Sequence, residues 1–137
     1  MDLPFTTTMP VRFRDIDAMG HVNNAVYVTY LEQARVVFFE EALGLSVRDA
    51  GSVIASLSID YERPIELGDE VSIGIGVGDI GRSSIPMTYE IRSNGDRAAT
   101  AETVLVLIDA ETGSSRRIPE PWREAIAEYS VPDTIEE

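Results

Sequence analysis

The chain has no cysteine and no lysine, and only one histidine and one tryptophan among its 137 residues. Without cysteine there can be no disulfide, no thiolate-held zinc and no cysteine nucleophile. A single histidine, His21, argues against a histidine-rich metal centre, so no metal and no dissociable cofactor is expected. A Ser–His triad would have to use that same residue. Neither a P-loop nor a Gly-x-Ser-x-Gly elbow occurs. Met1-Asp2-Leu3-Pro4 lacks the basic and apolar regions of a signal peptide, and no uninterrupted apolar run approaches the length of a membrane span. A soluble cytoplasmic protein without a membrane partner is the expectation. No linker, repeat or low-complexity segment divides the chain. Residues 1–137 read as one domain, with its core at about 9–125 and a short helix and loose tail behind it.

Charge is the second imbalance. Twenty-four acidic residues against eleven basic ones give a net charge of −13, and every base is arginine. Such a surface repels phosphodiester backbones, so nucleic acid is not an expected partner. Salt adaptation, in which high ionic strength screens the self-repulsion, is one source of this composition. An arginine-favouring codon bias with an ordinary acidic surface is the other, and the sequence leaves both open.

Polar groups concentrate in one stretch, Asp15-Ile16-Asp17-Ala18-Met19-Gly20-His21-Val22-Asn23-Asn24-Ala25-Val26-Tyr27. An apolar segment follows at once, with Tyr27, Tyr30, Leu31, Ala34, Val36, Val37, Phe38 and Phe39. Asparagine is a preferred N-cap, so Asn23 or Asn24 starts a helix, and Gly44 stops it. At 1.5 Å per residue, roughly 20 residues span about 30 Å, the width of a small domain. A helix apolar on nearly every side is a buried one. Ahead of it, Val11 and Phe13 alternate with arginines over 9–14 as in a half-buried strand. Behind it, alternation predicts four more strands: Val53 to Tyr61 with one buried face, Val71 to Val77, Ile85 to Ile91, and about Ala98 to Asp109. The last is apolar on both faces, as in a central strand or one covered by another subunit. Gly74, Gly76 and Gly78 offer a face without side chains, either a bulged strand or one that something approaches closely. Asn94-Gly95 is a hairpin turn, and a short helix is expected from about Pro121 to Glu128. One helix among runs of strands indicates an α+β fold with an antiparallel sheet.

The run Asp15-x-Asp17-x-x-Gly20-His21-Val22-Asn23-Asn24-x-x-Tyr27, with Glu32-x-x-Arg35 beyond it, resembles the hotdog-fold acyl-CoA thioesterases of the 4-hydroxybenzoyl-CoA thioesterase type. Tyr61-Glu62-Arg63-Pro64, Leu67-Gly68-Asp69-Glu70-Val71, Gly81-Arg82-Ser83-Ser84 and Ile118-Pro119 extend the resemblance over roughly residues 9–125. It implies an antiparallel sheet of about five strands wrapped round one long central helix. It also implies subunits paired edge to edge as a homodimer or homotetramer, with sites at the subunit boundaries.

What the resemblance implies for the residues is specific. Asp17 matches the catalytic acid, a nucleophile or general base, and Asp15 supports it. Asn24 lies where a backbone N–H at the helix start polarises the substrate carbonyl. His21 belongs to the same loop and either positions water, lines the acyl site or holds the loop. Gly20 and Tyr27 fall in the substrate-binding part of the motif. Tyr27, Tyr30 and Leu31 either touch the acyl group or pack the core. Glu32 and Arg35 form a local ion pair or face a neighbouring subunit. Coenzyme A carries phosphates, for which Arg63, Arg82, Arg92 and Arg97 are the candidate cations, Arg82 first because Ser83 and Ser84 follow it in a family segment near the nucleotide. The implied activity is hydrolysis of an acyl-CoA to a carboxylic acid and free CoA. An acyl-carrier-protein thioesterase is the alternative, since the His-Val-Asn-Asn loop also resembles plant-type enzymes, although an acidic surface suits an acidic carrier poorly. A non-catalytic acyl-CoA-binding protein is the third reading.

Overall fold

The computed structural model describes residues 3–46 and 51–132. Strands β1 (Phe5–Pro10), β2 (Ser52–Tyr61), β3 (Glu70–Val77), β4 (Ser84–Ser93) and β5 (Asp96–Leu107) form one antiparallel sheet in the order β1-β3-β4-β5-β2. Helix α1 (Asn24–Phe38) runs on through a π-helical turn, Phe39–Leu43, and stops at Gly44, whose φ of +66° is the left-handed stop expected of it. A second helix, α2 (Glu120–Ala127), closes the chain. A five-stranded antiparallel sheet round one long helix is the hotdog arrangement.

Strand alternation builds the core. Val71, Ile73, Ile75 and Val77 of β3 are buried with Ile85, Met87, Tyr89 and Ile91 of β4, because residues two apart share a face. They form one cluster with Tyr27, Tyr30, Leu31, Ala34 and Phe38 of α1. Phe38 meets Phe5 and Tyr129 edge to face, at ring-centroid distances of 5.3 and 5.1 Å. The opposite side of α1, with Thr29, Glu32 and Gln33, is exposed in the single chain.

Three expectations change. The first strand is Phe5–Pro10, not 9–14: Arg12 and Asp15 close a 3-10 turn over Phe13–Asp15, which turns Phe13 outward to 79% exposure. The β2 strand forms as expected, but a bulge between Ile54 and Ser56 breaks its alternation. As the edge of the sheet it leaves Val53, Ile54, Leu57 and Tyr61 exposed instead of burying one face. Val131, expected in a loose tail, is fixed: the Val77 N–H donates to the Tyr129 carbonyl and the Val131 N–H to the Val77 carbonyl, both at 2.9 Å. The rest of that tail, residues 133–137, lies outside the described residues.

The glycine face of β3 is the closely approached one. Leu3 covers Gly74, and Val131 covers Gly76 so tightly that a Cβ at Gly76 would stand 2.8 Å from both of its methyl carbons. Gly76→Val should therefore lower stability by about 1–3 kcal/mol through overpacking. Urea denaturation checks this as a lower midpoint with an unchanged slope; an unchanged midpoint would mean that Val131 does not bear on this face.

Candidate active site

The loop between β1 and α1 hangs on a buried carboxylate. Asp15 is 1% exposed. It accepts from the Arg12 amide (2.9 Å), the Arg12 guanidinium through Nη2 (2.9 Å) and Nε (3.1 Å), and the Tyr30 hydroxyl (2.9 Å). Burial alone would raise this carboxyl; the hydrogen bonds from Arg12 and Tyr30 outweigh it and hold Asp15 below the usual carboxylate range. Burial and the bond to Asp15 push the Tyr30 phenol up. The Asp15 backbone carbonyl takes the Asn23 N–H at 2.9 Å, and Ile16 pairs with Val22. Residues 15–23 thus form a small hairpin whose tip is turned by Gly20, at φ +82°.

At that tip Asp17 is exposed and oriented. Its Oδ1 accepts from the Met19 N–H at 2.8 Å and the His21 N–H at 3.2 Å. Among the described residues Oδ2 has no partner. One oxygen fixes the carboxylate and the other is open to a substrate or to water.

The returning leg of the hairpin enters α1. Asn23 is the N-cap: its side-chain oxygen accepts from the Ala25 N–H at 2.9 Å, and its carbonyl from the Val26 N–H at 2.8 Å. Among the described residues the Asn24 N–H donates to nothing. A free N–H at the positive end of a 15-residue helix is a preorganised donor for developing negative charge. The Tyr61 hydroxyl, at the end of β2, donates to the Asn24 carbonyl at 2.9 Å and so braces that first turn.

The other anticipated residues divide. Tyr27 is buried, meets the Tyr61 ring edge to face at 4.9 Å and donates to the Arg63 carbonyl at 3.5 Å, so it packs beneath the site. The His21 imidazole turns to Glu66, with Nε2 3.8 Å from Oε2, and only its backbone N–H meets the Asp17 carboxylate. Arg63 pairs with Asp96 at 3.2 Å, Arg97 with Glu62 at 3.0 Å and Arg92 with Glu90. These three cations already have acids. Arg35 does not pair with Glu32 locally: it is buried, and its Nη1 donates to the Tyr89 hydroxyl at 3.3 Å.

Arg82, Ser83 and Ser84 lie at the opposite end of the sheet from Asp17. The Leu107 N–H donates to the Ser83 carbonyl and Ser84 opposes Val106, whereas Tyr61 opposes Ala99 and the Val22 N–H reaches the Ile65 carbonyl. From Ala99 to Leu105 alone a strand rises about 20 Å. Sequence reasoning missed the company Arg82 keeps. Its carbonyl takes the Ile118 N–H, which brings Arg116 and Arg117 alongside, and Arg123 clamps the Gly81 and Arg82 carbonyls. Arg116 stacks on Trp122 at 5.2 Å. The readable signal was the Arg116-Arg117 pair after Gly113-Ser114-Ser115, two adjacent cations in a chain short of them.

The sequence profile of the Thioesterase-like superfamily matches residues 11–127. The chain is 32% identical to a 1,4-dihydroxy-2-naphthoyl-CoA hydrolase of Synechococcus elongatus, over 80% of this chain and 85% of that one. It is 28% identical to the long-chain acyl-CoA thioesterase FadM of Escherichia coli, over 88% and 95%. A thioesterase from Thermus thermophilus, solved with coenzyme A and zinc, superposes with a TM-score of 0.85 at 40% identity, covering 93% of this chain and 95% of that one.

The Asp15 clip makes a pH-dependent prediction. A carboxyl whose pKa is lowered by folding contributes stability above its unfolded value, near 3.9, that is lost as pH falls through the folded value. Asp15→Asn should cost about 2–3 kcal/mol at pH 7, and the gap from the native protein should narrow at a pH below the ordinary carboxylate value. Denaturant titrations at the two pH values check both parts.

Proposed function

The chain belongs to the Thioesterase-like superfamily, and from that premise we propose that it is an acyl-CoA thioesterase, cleaving a thioester with water to a carboxylic acid and free CoA. The observation that carries the reading is the pairing of Asp17, with one carboxylate oxygen pinned and the other open, with the unsatisfied Asn24 N–H on the next leg of the same hairpin. Asn24 polarises the thioester carbonyl. Asp17 either attacks that carbon, expelling the CoA thiolate and leaving an anhydride for water to open, or takes a proton from the attacking water. His21 holds the loop against Glu66, Gly20 allows the turn, and Tyr27 with Tyr61 supports the helix start. Neither route draws on a metal or a further cofactor. The cytoplasm, where CoA thioesters are made and consumed, is the compartment this activity fits.

A complete site needs two chains in this reading. The β2 edge is ten residues long and exposes Val53, Ile54, Leu57 and Tyr61, an apolar template for another strand. Two-fold antiparallel pairing of β2 with its copy keeps both helices on one face and sets the Tyr61 end of one subunit beside the Ser52 end of the other. The Asp17 loop of one chain then meets Arg82, Ser83, Ser84, Arg116 and Arg117 of its partner, where the CoA phosphates find a group of cations. The acidic surface as a whole, at a net charge of −13, favours free CoA thioesters over an acidic carrier protein.

Two outcomes are expected. Asp17→Asn should reduce thiol release from a panel of short, long and aromatic acyl-CoAs by about 10²–10⁴-fold with the fold intact, and equal rates would remove Asp17 from the chemistry. In ¹⁸O-labelled water under single turnover, label in Asp17 marks the covalent route, with water opening the anhydride at the Asp17 carboxyl carbon. Val53→Lys with Leu57→Lys should yield monomers by sedimentation that retain Asp17 yet release no thiol. A fully active monomer would overturn the two-chain site.

A further inference from the structure

Arg35 is the one charge on α1 that points inward. It is 7% exposed, and among the described residues its one hydrogen bond runs from Nη1 to the Tyr89 hydroxyl, itself held by Thr103 Oγ1 at 2.7 Å. Among the described residues no carboxylate lies within 4.0 Å of its guanidinium. The group is not sealed in. It lines a cavity of about 420 Å³ between α1 and the β2 edge, floored by Arg35, Phe39 and Leu105 and rimmed by Ser52, Ile54 and Glu32.

A buried cation without a counter-charge is costly, and the cost is relieved by an anion that reaches it. A neutral hydroxyl satisfies a donor but not the charge. A carboxylate does both, because the planar fork of a guanidinium matches it with two parallel hydrogen bonds. The Tyr89 hydroxyl, itself held by Thr103, takes one donor of this fork, at Nη1, from the protein side, which leaves the others for a ligand in the cavity that Arg35 lines. An unbranched hydrocarbon chain there would bury against an unpaired charge. The cavity opens at the Ser52 end of β2, the end that two-fold pairing sets beside the Asn24 helix start of the other chain.

We propose that Arg35 is a specificity-determining residue at the far end of the acyl site and that the preferred substrates are thioesters of dicarboxylic acids, whose second carboxylate pairs with the Arg35 guanidinium. This rests on the thioesterase reading for the reaction, but the carboxylate site itself can be examined without turnover. Glu32 at the rim adds discrimination. It repels an anion that stops short, so the acyl group must be long enough to carry its carboxylate past the rim to the floor.

The experiment compares each ω-carboxyl acyl-CoA from succinyl to suberyl with the neutral acyl-CoA of equal chain length, as the ratio of kcat/KM values. A ratio within one protein cancels a general loss of active enzyme. The native ratio should exceed 1 by about 10- to 100-fold at the best length. Arg35→Met should bring it to about 1 or below, and Arg35→Lys, which keeps the charge but loses the fork, should fall between. In parallel, free dicarboxylates of the same lengths should raise the melting temperature of the native protein, should do so less for Arg35→Lys, and should leave Arg35→Met unmoved. A native ratio near 1 at every length, or a ratio that Arg35→Met leaves intact, overturns the proposal. So does dissociation of the Arg35→Met and Arg35→Lys proteins to monomers, since the counter-charge would then come from the second chain. If no thioester of either kind is cleaved but dicarboxylates stabilise the protein through Arg35, the hydrolase reading fails and the carboxylate site stands. If neither occurs, both fail.

Discussion

A buried carboxylate is an expense unless every lone pair is occupied, and in this protein the candidate chemistry depends on Asp15 meeting that condition. Its side chain ties Arg12, at the exit of β1, to Tyr30, in the second turn of α1, while its backbone carbonyl holds Asn23. Those three attachments fix both legs of the hairpin that carries Asp17. The pinned Oδ1 of Asp17 and the open N–H of Asn24 are downstream of them. Asp15 never needs to approach a reacting atom to decide whether Asp17 and the Asn24 N–H are held in register.

The sheet adds a second constraint. Antiparallel order β1-β3-β4-β5-β2 puts the Asp17 hairpin at one end of the strands and the cations around Arg82 at the other, and no flexing of a packed sheet unites them. The net charge of −13 sharpens the point, because three of the bases on the Asp17 side are engaged: Arg12 by Asp15, Arg63 by Asp96 and Arg97 by Glu62. An acidic chain that must hold a polyanion keeps some arginines out of ion pairs, and here Arg82 and stacked Arg116 stand together, with Arg117 beside them in a long 4.0 Å contact to Glu120.

Local signals were legible in the sequence where local physics decides. The Asn cap, the Gly44 stop and the Asn94-Gly95 turn, with φ of +52° and +89°, follow from backbone sterics. So do the alternating strands β3 and β4. The hairpin with Asp17 and Asn24 could be located because its residue types are unusual together. What failed depended on distant partners. Nothing in Val11 to Arg14 announces that Asp15 will bend that segment into a 3-10 turn. Glu32-x-x-Arg35 has the spacing of a helical ion pair, yet Arg35 turns to Tyr89, 54 positions away. The charges on Arg63 and Arg92 read the same in sequence as that on Arg82. Only the strand pairing reveals which of them face an acid.

The bulge in β2 has a bearing on what this edge refuses. A long, flat, apolar edge accepts any strand in any register, and indefinite pairing of that kind leads to fibrils. Between Ile54 and Ser56 the alternation slips by one, so Val53 lies on the outer face while Ile54, Leu57, Ile59 and Tyr61 lie on the helix side. A strand displaced by one residue would present its apolar side chains to the wrong face on at least one side of the slip. The extra residue at Ala55 works as a key cut into the edge: a copy of the same chain can match it symmetrically, and an arbitrary β-strand cannot.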